Sequence, residues 1–211
     1  MQCEARRQRL VLITSGMTSL IEPLSESPND LVGIAQSRPR GEGGVRARLK
    51  SRIVGGYVGF RALARGQGSI KGYCRSKRIP YFFMRRGSCP VFREWVNSLS
   101  PDLMVVYSMA ELLPRNVFGI PRLGTINLHP SLLPAYRGPD PLLWQYLLFD
   151  RDHGITIHHI DSGKDTGGII AQRNDRCAQR IARQTGLLLQ YHGMFDATAK
   201  SFRSLKRDLN S

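Results

Sequence analysis

Apolar residues in this chain gather in short runs separated by clusters of Ser, Pro, Asn and Gly. Runs of that length bounded by turn formers read as strands, whereas apolar positions recurring about every 3.6 residues read as helices. Residues 9–14, RLVLIT, predict a first strand ending in Ser15-Gly16, and a Ser/Pro/Asn-rich turn leads to a second strand at 30–35 with a short helix between. Farther on, the pattern predicts a helix near 69–77, a strand at 79–84, a turn at 88–90 and a helix through Trp95. Residues 102–107 form a nearly continuous apolar run, the mark of a strand covered on both faces of a parallel sheet. A strand at 123–128 follows, then a closing pair at 155–160 and 168–171, and helical spacing resumes from about Cys177. Strands alternating with helices give the α/β class.

Residues 37–72 break this alternation. Nine glycines fall there, and Gly55, Gly56 and Gly59 interrupt a weak helical pattern across 45–64. Glycine weakens a helix interior by roughly 1 kcal/mol, so the segment reads as an insertion within one domain. Charge sharpens the picture. The 211-residue chain carries +15, yet between Gln36 and Arg93 fifteen Lys or Arg face one acid, Glu42, while the remainder is nearly balanced. A solvated basic surface and a patch facing RNA, phosphate or an anionic membrane both follow from this. Cys3, Cys74, Cys89 and Cys177 have no paired spacing, which suits a reducing, cytoplasmic setting. The apolar run at 10–13 is too short for a signal-peptide core, and no stretch reaches the roughly 18 to 20 apolar residues of a spanning helix.

Candidate chemistry lies in Asn127-Leu128-His129-Pro130-Ser131-Leu132-Leu133-Pro134, continuing to Arg137-Gly138, and in Asp161-Ser162-Gly163-Lys164-Asp165-Thr166-Gly167-Gly168. Asn127 and His129 are two apart, so on a strand they point to one side, at the carboxyl end where open α/β sheets place their ligand crevice. An amide, an imidazole and a carboxylate converging there can run acyl transfer: Asn127 and His129 as oxyanion donors, Asp165 orienting the ring and relaying protons. The same residues can equally cap a strand end, with Asp165 in a glycine turn. His158, His159 and Asp161 raise the question of a metal, but adjacent histidines on a strand face opposite ways and no further ligand cluster follows, so no metal is expected. His153 and His192 are expected on the surface or in helices, and Trp95 and Trp144 in packing. Residues 15–19 lack the G-x-G-x-x-G pattern and the lysine of a phosphate loop.

The ordered set Asn127-x-His129-Pro-Ser-Leu-Leu-Pro, Arg137-Gly138, Gly154-Ile-Thr-Ile-His158 and Asp165-Thr-Gly-Gly-Ile-Ile-Ala-Gln172 resembles the catalytic domain of the 10-formyltetrahydrofolate-dependent formyltransferases. The resemblance is strong across 102–172, weaker across 9–35 and absent over the basic insertion. It implies a single Rossmann-like domain over 1–211, a mostly parallel sheet with helices on both faces, and formyl transfer from folate N10 to a primary amine. Asn127, His129 and Asp165 fall on that family's catalytic positions. Met109, Ala110, Glu111, Leu112, Val117, His158, Ile160 and Asp161 fall where it lines the folate pocket.

The acceptor is harder to assign. Methionyl-tRNA formyltransferases resemble this core but carry a further C-terminal domain, for which the residues after Gln172 are too few. Glycinamide ribonucleotide formyltransferases match in size, but their Asn-Gly-Ser-Asn loop is not reproduced across 15–20. Sugar-nucleotide formyltransferases share the pattern seen here in Arg137-Gly138-Pro139-Asp140-Pro141-Leu142-Leu143-Trp144, which favours an amino-sugar nucleotide, with glycinamide ribonucleotide or methionyl-tRNA as alternatives. A second class stays open: a non-catalytic relative that binds RNA or an anionic membrane through its insertion.

Overall fold

The structure, a computed structural model, describes residues 6–18, 20–38, 69–85, 89–109, 111–150 and 152–174. Most of the basic insertion and the predicted C-terminal helices lie outside them. In chain order the elements are β1 (Arg9–Thr14), α1 (Ile21–Ser25), β2 (Asp30–Gln36), α2 (Ile70–Lys77), β3 (Tyr81–Phe83), α3 (Cys89–Leu99), β4 (Leu103–Tyr107), α4 (Arg115–Phe118), β5 (Thr125–His129), α5 (Pro141–Leu147), β6 (Gly154–His159) and β7 (Ile169–Asn174). One seven-stranded sheet runs β3-β2-β1-β4-β5-β6-β7. Pairing is parallel from β3 to β5, and antiparallel between β5 and β6 and between β6 and β7.

The apolar runs of β1 and β4 are central because both their faces are covered. Alternate residues feed two cores. On one face Leu10, Leu12, Ile34, Val105 and Tyr107 pack with Leu20, Ile21 and Leu24 around α1 and with Ile70 and Cys74 of α2. On the other, Val11, Ile13, Ala35, Met104 and Val106 pack with Phe92 and Val96 of α3 and Val117 of α4. Helices thus flank both faces. Burial in the first core pushes the Cys74 thiol up to about 11, which leaves it protonated and unreactive.

Several boundaries differ from expectation. The strand expected at 79–84 is only Tyr81–Phe83, because Pro80 has no N–H and enters the ladder solely by accepting from Ile34. Of the turn expected at 88–90, Ser88 lies outside the described residues, and Cys89 and Pro90 instead open α3, where a proline in the first turn costs no intrahelical bond. β5 begins after Gly124, whose φ of +80° ends the preceding turn, and so runs one residue farther than expected, through His129. Trp95 packs against Phe82 and Phe92, as expected, whereas Trp144 is half exposed.

At the amino ends of β1 and β4, Asp102 accepts from the Arg9 N–H at 2.9 Å and from Arg122 Nε at 3.3 Å. The Arg9 N–H, acting against partial desolvation and helped by Arg122, holds this carboxyl below its ordinary value. This clamp joins neighbouring strands at the end of the sheet opposite the chemistry described below.

Phe92 has no exposed surface and is the bulkiest fully buried side chain among the described residues. Phe92→Ala should lower stability by about 3 to 5 kcal/mol, measured by urea unfolding, through lost transfer energy and the cavity left between α3 and the sheet.

Candidate active site

The site is built on one face of the β5/β6 pair. Asn127 and His129 alternate with Leu128, which enters the core on the other face. The antiparallel register sets His158 opposite Asn127 and Thr156 opposite His129, while Ile155 and Ile157 join Leu128 in that core. Four polar side chains therefore share a face because Leu128, Ile155 and Ile157 require the other.

Asp165 reaches this group from the loop after β6. Its Oδ1 accepts from Asn127 Nδ2 at 3.2 Å and lies 3.5 Å from His158 Nε2, while its Oδ2 accepts from the Gly138 N–H at 2.8 Å and lies 3.6 Å from His129 Nδ1. Burial alone would raise this carboxyl. The neighbouring His158 ring, the charge of His129 and the Gly138 N–H outweigh burial and hold it down at about 2. His158 Nδ1 lies 2.8 Å from the His159 carbonyl and so carries a proton there. The Asn127 amide lies 3.1 Å from His158 Nε2, so both its protons face acceptors. His129 Nε2 lies 2.9 Å from the Tyr136 carbonyl, which fixes that nitrogen as a donor and turns Nδ1 toward Asp165.

The loop from Pro130 to Asp140 supplies the remaining backbone groups. Tyr136, Gly138 and Asp140 have φ of 57°, 93° and 54°, and Asp165 itself has φ of 52°. Left-handed backbone costs an L-residue roughly 1 to 2 kcal/mol, so these turns persist because the surrounding hydrogen bonds over-determine them.

Beside this cluster opens a cleft of about 290 Å³ between the carboxyl ends of β4 and β5 and the loop after β6. Its lining includes Asn127, His129 and Asp165, together with Met109, Glu111, Leu112, His158, Ile160 and Asp161. Val117, expected in the pocket, does not line it: its side chain is wholly buried in the core under α4. Ala110 lies outside the described residues. The sequence reading did not include Leu113, Pro141 and Leu142 among the lining, nor the backbone groups of Tyr136 and Gly138. His153, expected on the surface or in a helix, is buried ahead of β6 against Gln145. His159 is exposed, on the face opposite His158. Asp161 accepts from Thr166 Oγ1 and the Gly163 N–H, an arrangement that closes its own loop. Among the described residues no group of three or more His, Cys, Asp or Glu is arranged to hold a metal ion, and no helix is long and apolar enough to cross a membrane.

A family profile described as formyl transferase matches residues 70–180, more than half of the chain. The chain belongs to the formyl transferase family. Within that family it is 46% identical over 83 residues to a methionyl-tRNA formyltransferase of Syntrophus aciditrophicus (strain SB), a match covering 39% of this chain and 27% of the relative. It is 34% identical over 124 residues to a methionyl-tRNA formyltransferase of Geobacter metallireducens, covering 56% of this chain and 40% of the relative. The matched region thus spans well under half the length of these curated relatives. Among solved structures, the phosphoribosylglycinamide formyltransferase of Anaplasma phagocytophilum superposes with a TM-score of 0.63 at 19% identity, covering 92% of this chain and 82% of that one. That of Streptococcus pneumoniae TIGR4 gives 0.63 at 15% identity, covering 97% and 99%. These likenesses establish the formyl transferase fold, a mostly parallel Rossmann-like sheet.

Because the carboxyl of Asp165 is depressed on folding, its contribution to stability is complete above the ordinary carboxylate value and is lost as pH falls toward about 2. Asp165→Asn should lower neutral-pH stability by on the order of 2 kcal/mol and flatten the loss between about pH 4 and about pH 2 by the same amount. Urea unfolding of both proteins across that range measures the difference.

Proposed function

We propose that the chain transfers a formyl group from 10-formyltetrahydrofolate, as co-substrate, to the primary amine of a methionyl-tRNA. The observation that carries the reaction is the meeting of Asn127, His129 and Asp165 at one edge of the cleft. The cleft suits the co-substrate: Met109, Leu112, Leu113 and Ile160 offer apolar surface to a flat ring system, and Glu111, Asp161 and Lys164 offer polar partners to its edges and tail. The acceptor rests on two supports, the printed names of the curated relatives and the basic excess between Gln36 and Arg93, which suits a polyanion. Lys71, Arg75, Lys77 and Arg78 of that stretch are exposed along and just beyond α2. The amino-sugar nucleotide suggested by the Arg137-Gly138 pattern finds no support in these relatives and is set aside in favour of the alternative stated beside it.

When bound, 10-formyltetrahydrofolate supplies the formyl carbon and leaves as tetrahydrofolate. The protein's own task is to stabilise charge and move one proton. Asn127 Nδ2, and His129 Nδ1 once it has taken up the amine's proton, share a face with the cleft and are the donors for an oxygen that gains negative charge; one such donor is typically worth about 2.7 to 4 kcal/mol. To act, Asn127 exchanges one of its present bonds, to Asp165 or His158, for that oxygen. Asp165, held near 2, is a poor proton acceptor at neutral pH and serves chiefly to orient the His129 ring and stabilise its charged form. The proton shed by the attacking amine passes through His129 to the departing nitrogen.

Incubating the protein with 10-formyltetrahydrofolate and methionyl-tRNA, and in parallel with phosphoribosylglycinamide, should release tetrahydrofolate with the tRNA; release with neither sinks the reading. His129→Ala and Asp165→Ala should each reduce transfer by roughly two to four orders of magnitude with folding retained. Near-normal turnover in either purified variant contradicts their roles. For the basic stretch, replacing Arg46, Arg48, Lys50 and Arg52 by glutamine should weaken tRNA binding and flatten its salt dependence, as expected when fewer phosphates are neutralised. An unchanged salt slope removes this segment from the acceptor's contacts.

A further inference from the structure

Gln145 of α5 has no exposed surface, and its two amide ends are told apart by their neighbours. One end lies 2.9 Å from the Pro130 carbonyl and 3.1 Å from the Pro141 carbonyl; both are acceptors, so this end is the NH2 group. The other end, Oε1, lies 3.1 Å from Nδ1 of buried His153, which therefore carries the proton. Pro130 directly follows His129. Lacking an N–H, it offers the carbonyl as its only backbone group for a hydrogen bond, and Gln145 takes it.

From that point the loop is fixed step by step. The Ser131 N–H returns to the His129 carbonyl at 2.9 Å. Thr156 Oγ1 donates to the Ser131 carbonyl at 2.6 Å and accepts from the Leu133 N–H at 3.1 Å. Ser131 Oγ donates to the Ala135 carbonyl at 2.7 Å, and the next residue, Tyr136, presents the carbonyl that holds His129 Nε2. The His129 ring is thus aimed by a loop whose first residue is pinned from the buried side by an amide that His153 itself orients.

We propose that Gln145, oriented by His153, is a positioning residue that sets the angle of the His129 imidazole; the kinetic consequence of this rests on the formyl-transfer reading, the geometric one does not. Two variants separate its jobs. Gln145→Glu, when ionised, keeps an acceptor for His153 but cannot donate to Pro130, and Gln145→Met removes both bonds at similar volume. With 15N-histidine labelling, the exchange of the His129 Nε2 proton should quicken by about tenfold or more in both, while the His158 Nδ1 proton, held by the His159 carbonyl, keeps its wild-type rate and reports an intact site. In the transfer assay, kcat should fall by at least about tenfold with KM for 10-formyltetrahydrofolate changed less than about twofold, the pattern of a mis-aimed group and not of lost binding. If the wild-type protein transfers no formyl group, the functional reading fails and the exchange data still decide the positioning. A variant that keeps the His158 signal and also shows wild-type His129 exchange overturns the proposal. Should both variants lose the His158 signal, wild-type exchange decides: the side-chain amide protons of Gln145 must exchange as slowly as the Leu133 N–H, and exchange at the rate of exposed amides overturns it.

Discussion

The bond between the Asn127 amide and the Asp165 carboxylate joins a strand of the sheet to a loop that begins only after the next strand has ended. A carboxylate largely withdrawn from water keeps its charge only if donors replace the water it loses. Asn127 and the Gly138 N–H do so here, with the rings of His129 and His158 beside them, and these groups come from β5, β6 and the loop between β5 and α5. Satisfying one acid therefore brings four chain segments to one place. Much of the surrounding architecture follows from this: the left-handed turns at 136–140 aim the Gly138 N–H, and the loop after β6 is shaped to deliver Asp165.

The two ends of the sheet divide the work. At the amino ends, Asp102 ties β1 to β4 through Arg9 and does not line the cleft described above. At the carboxyl ends, polar groups crowd together, backbone turns are strained and a cleft is left open. Buried polar clusters and strained turns reduce stability, so they are tolerated where strands already covered on both faces secure the frame. β1 and β4 provide that frame, since every residue of β4 after Leu103 is buried.

The central strands could be read from sequence because continuous apolar runs have few other uses, and Asn127 and His129 could be paired because side chains two apart share a strand face. Other features left no such trace. The Tyr136 carbonyl and the Gly138 N–H are backbone groups that any residue carries, so their part in the site depends on loop path alone. The resemblance places His158 at the pocket, but its bond to Asn127 depends on the β5/β6 register, which no local pattern reports. Val117 and Leu112 are both aliphatic and close in sequence, yet one is core and the other more than half exposed at the cleft; apolar character does not distinguish the two. His153 is expected on the surface or in a helix; the buried partner that admits it, Gln145, sits eight residues earlier on another element and leaves no local pattern.

The β5/β6 pairing also constrains how the segment between these strands can change in length. Side chains alternate along a strand, so sliding β6 by one residue would bury the polar set and expose Ile155 and Ile157, while sliding it by two would keep the faces but carry His158 out of line with Asn127. Insertions and deletions are therefore absorbed only where the chain is free of that ladder. Gln145, Thr156 and Gln172 already hold the path from Pro130 to Leu133, and Gly154 has no room for a side chain beside Leu132 and the Arg173 carbonyl. What remains is the short stretch between the end of α5 and His153, where exposed Leu147, Leu148 and Phe149 meet solvent. Length variation among descendants of this sequence should collect there, leaving the spacing from Asn127 to Leu133 and from Gly154 to Asp165 unaltered.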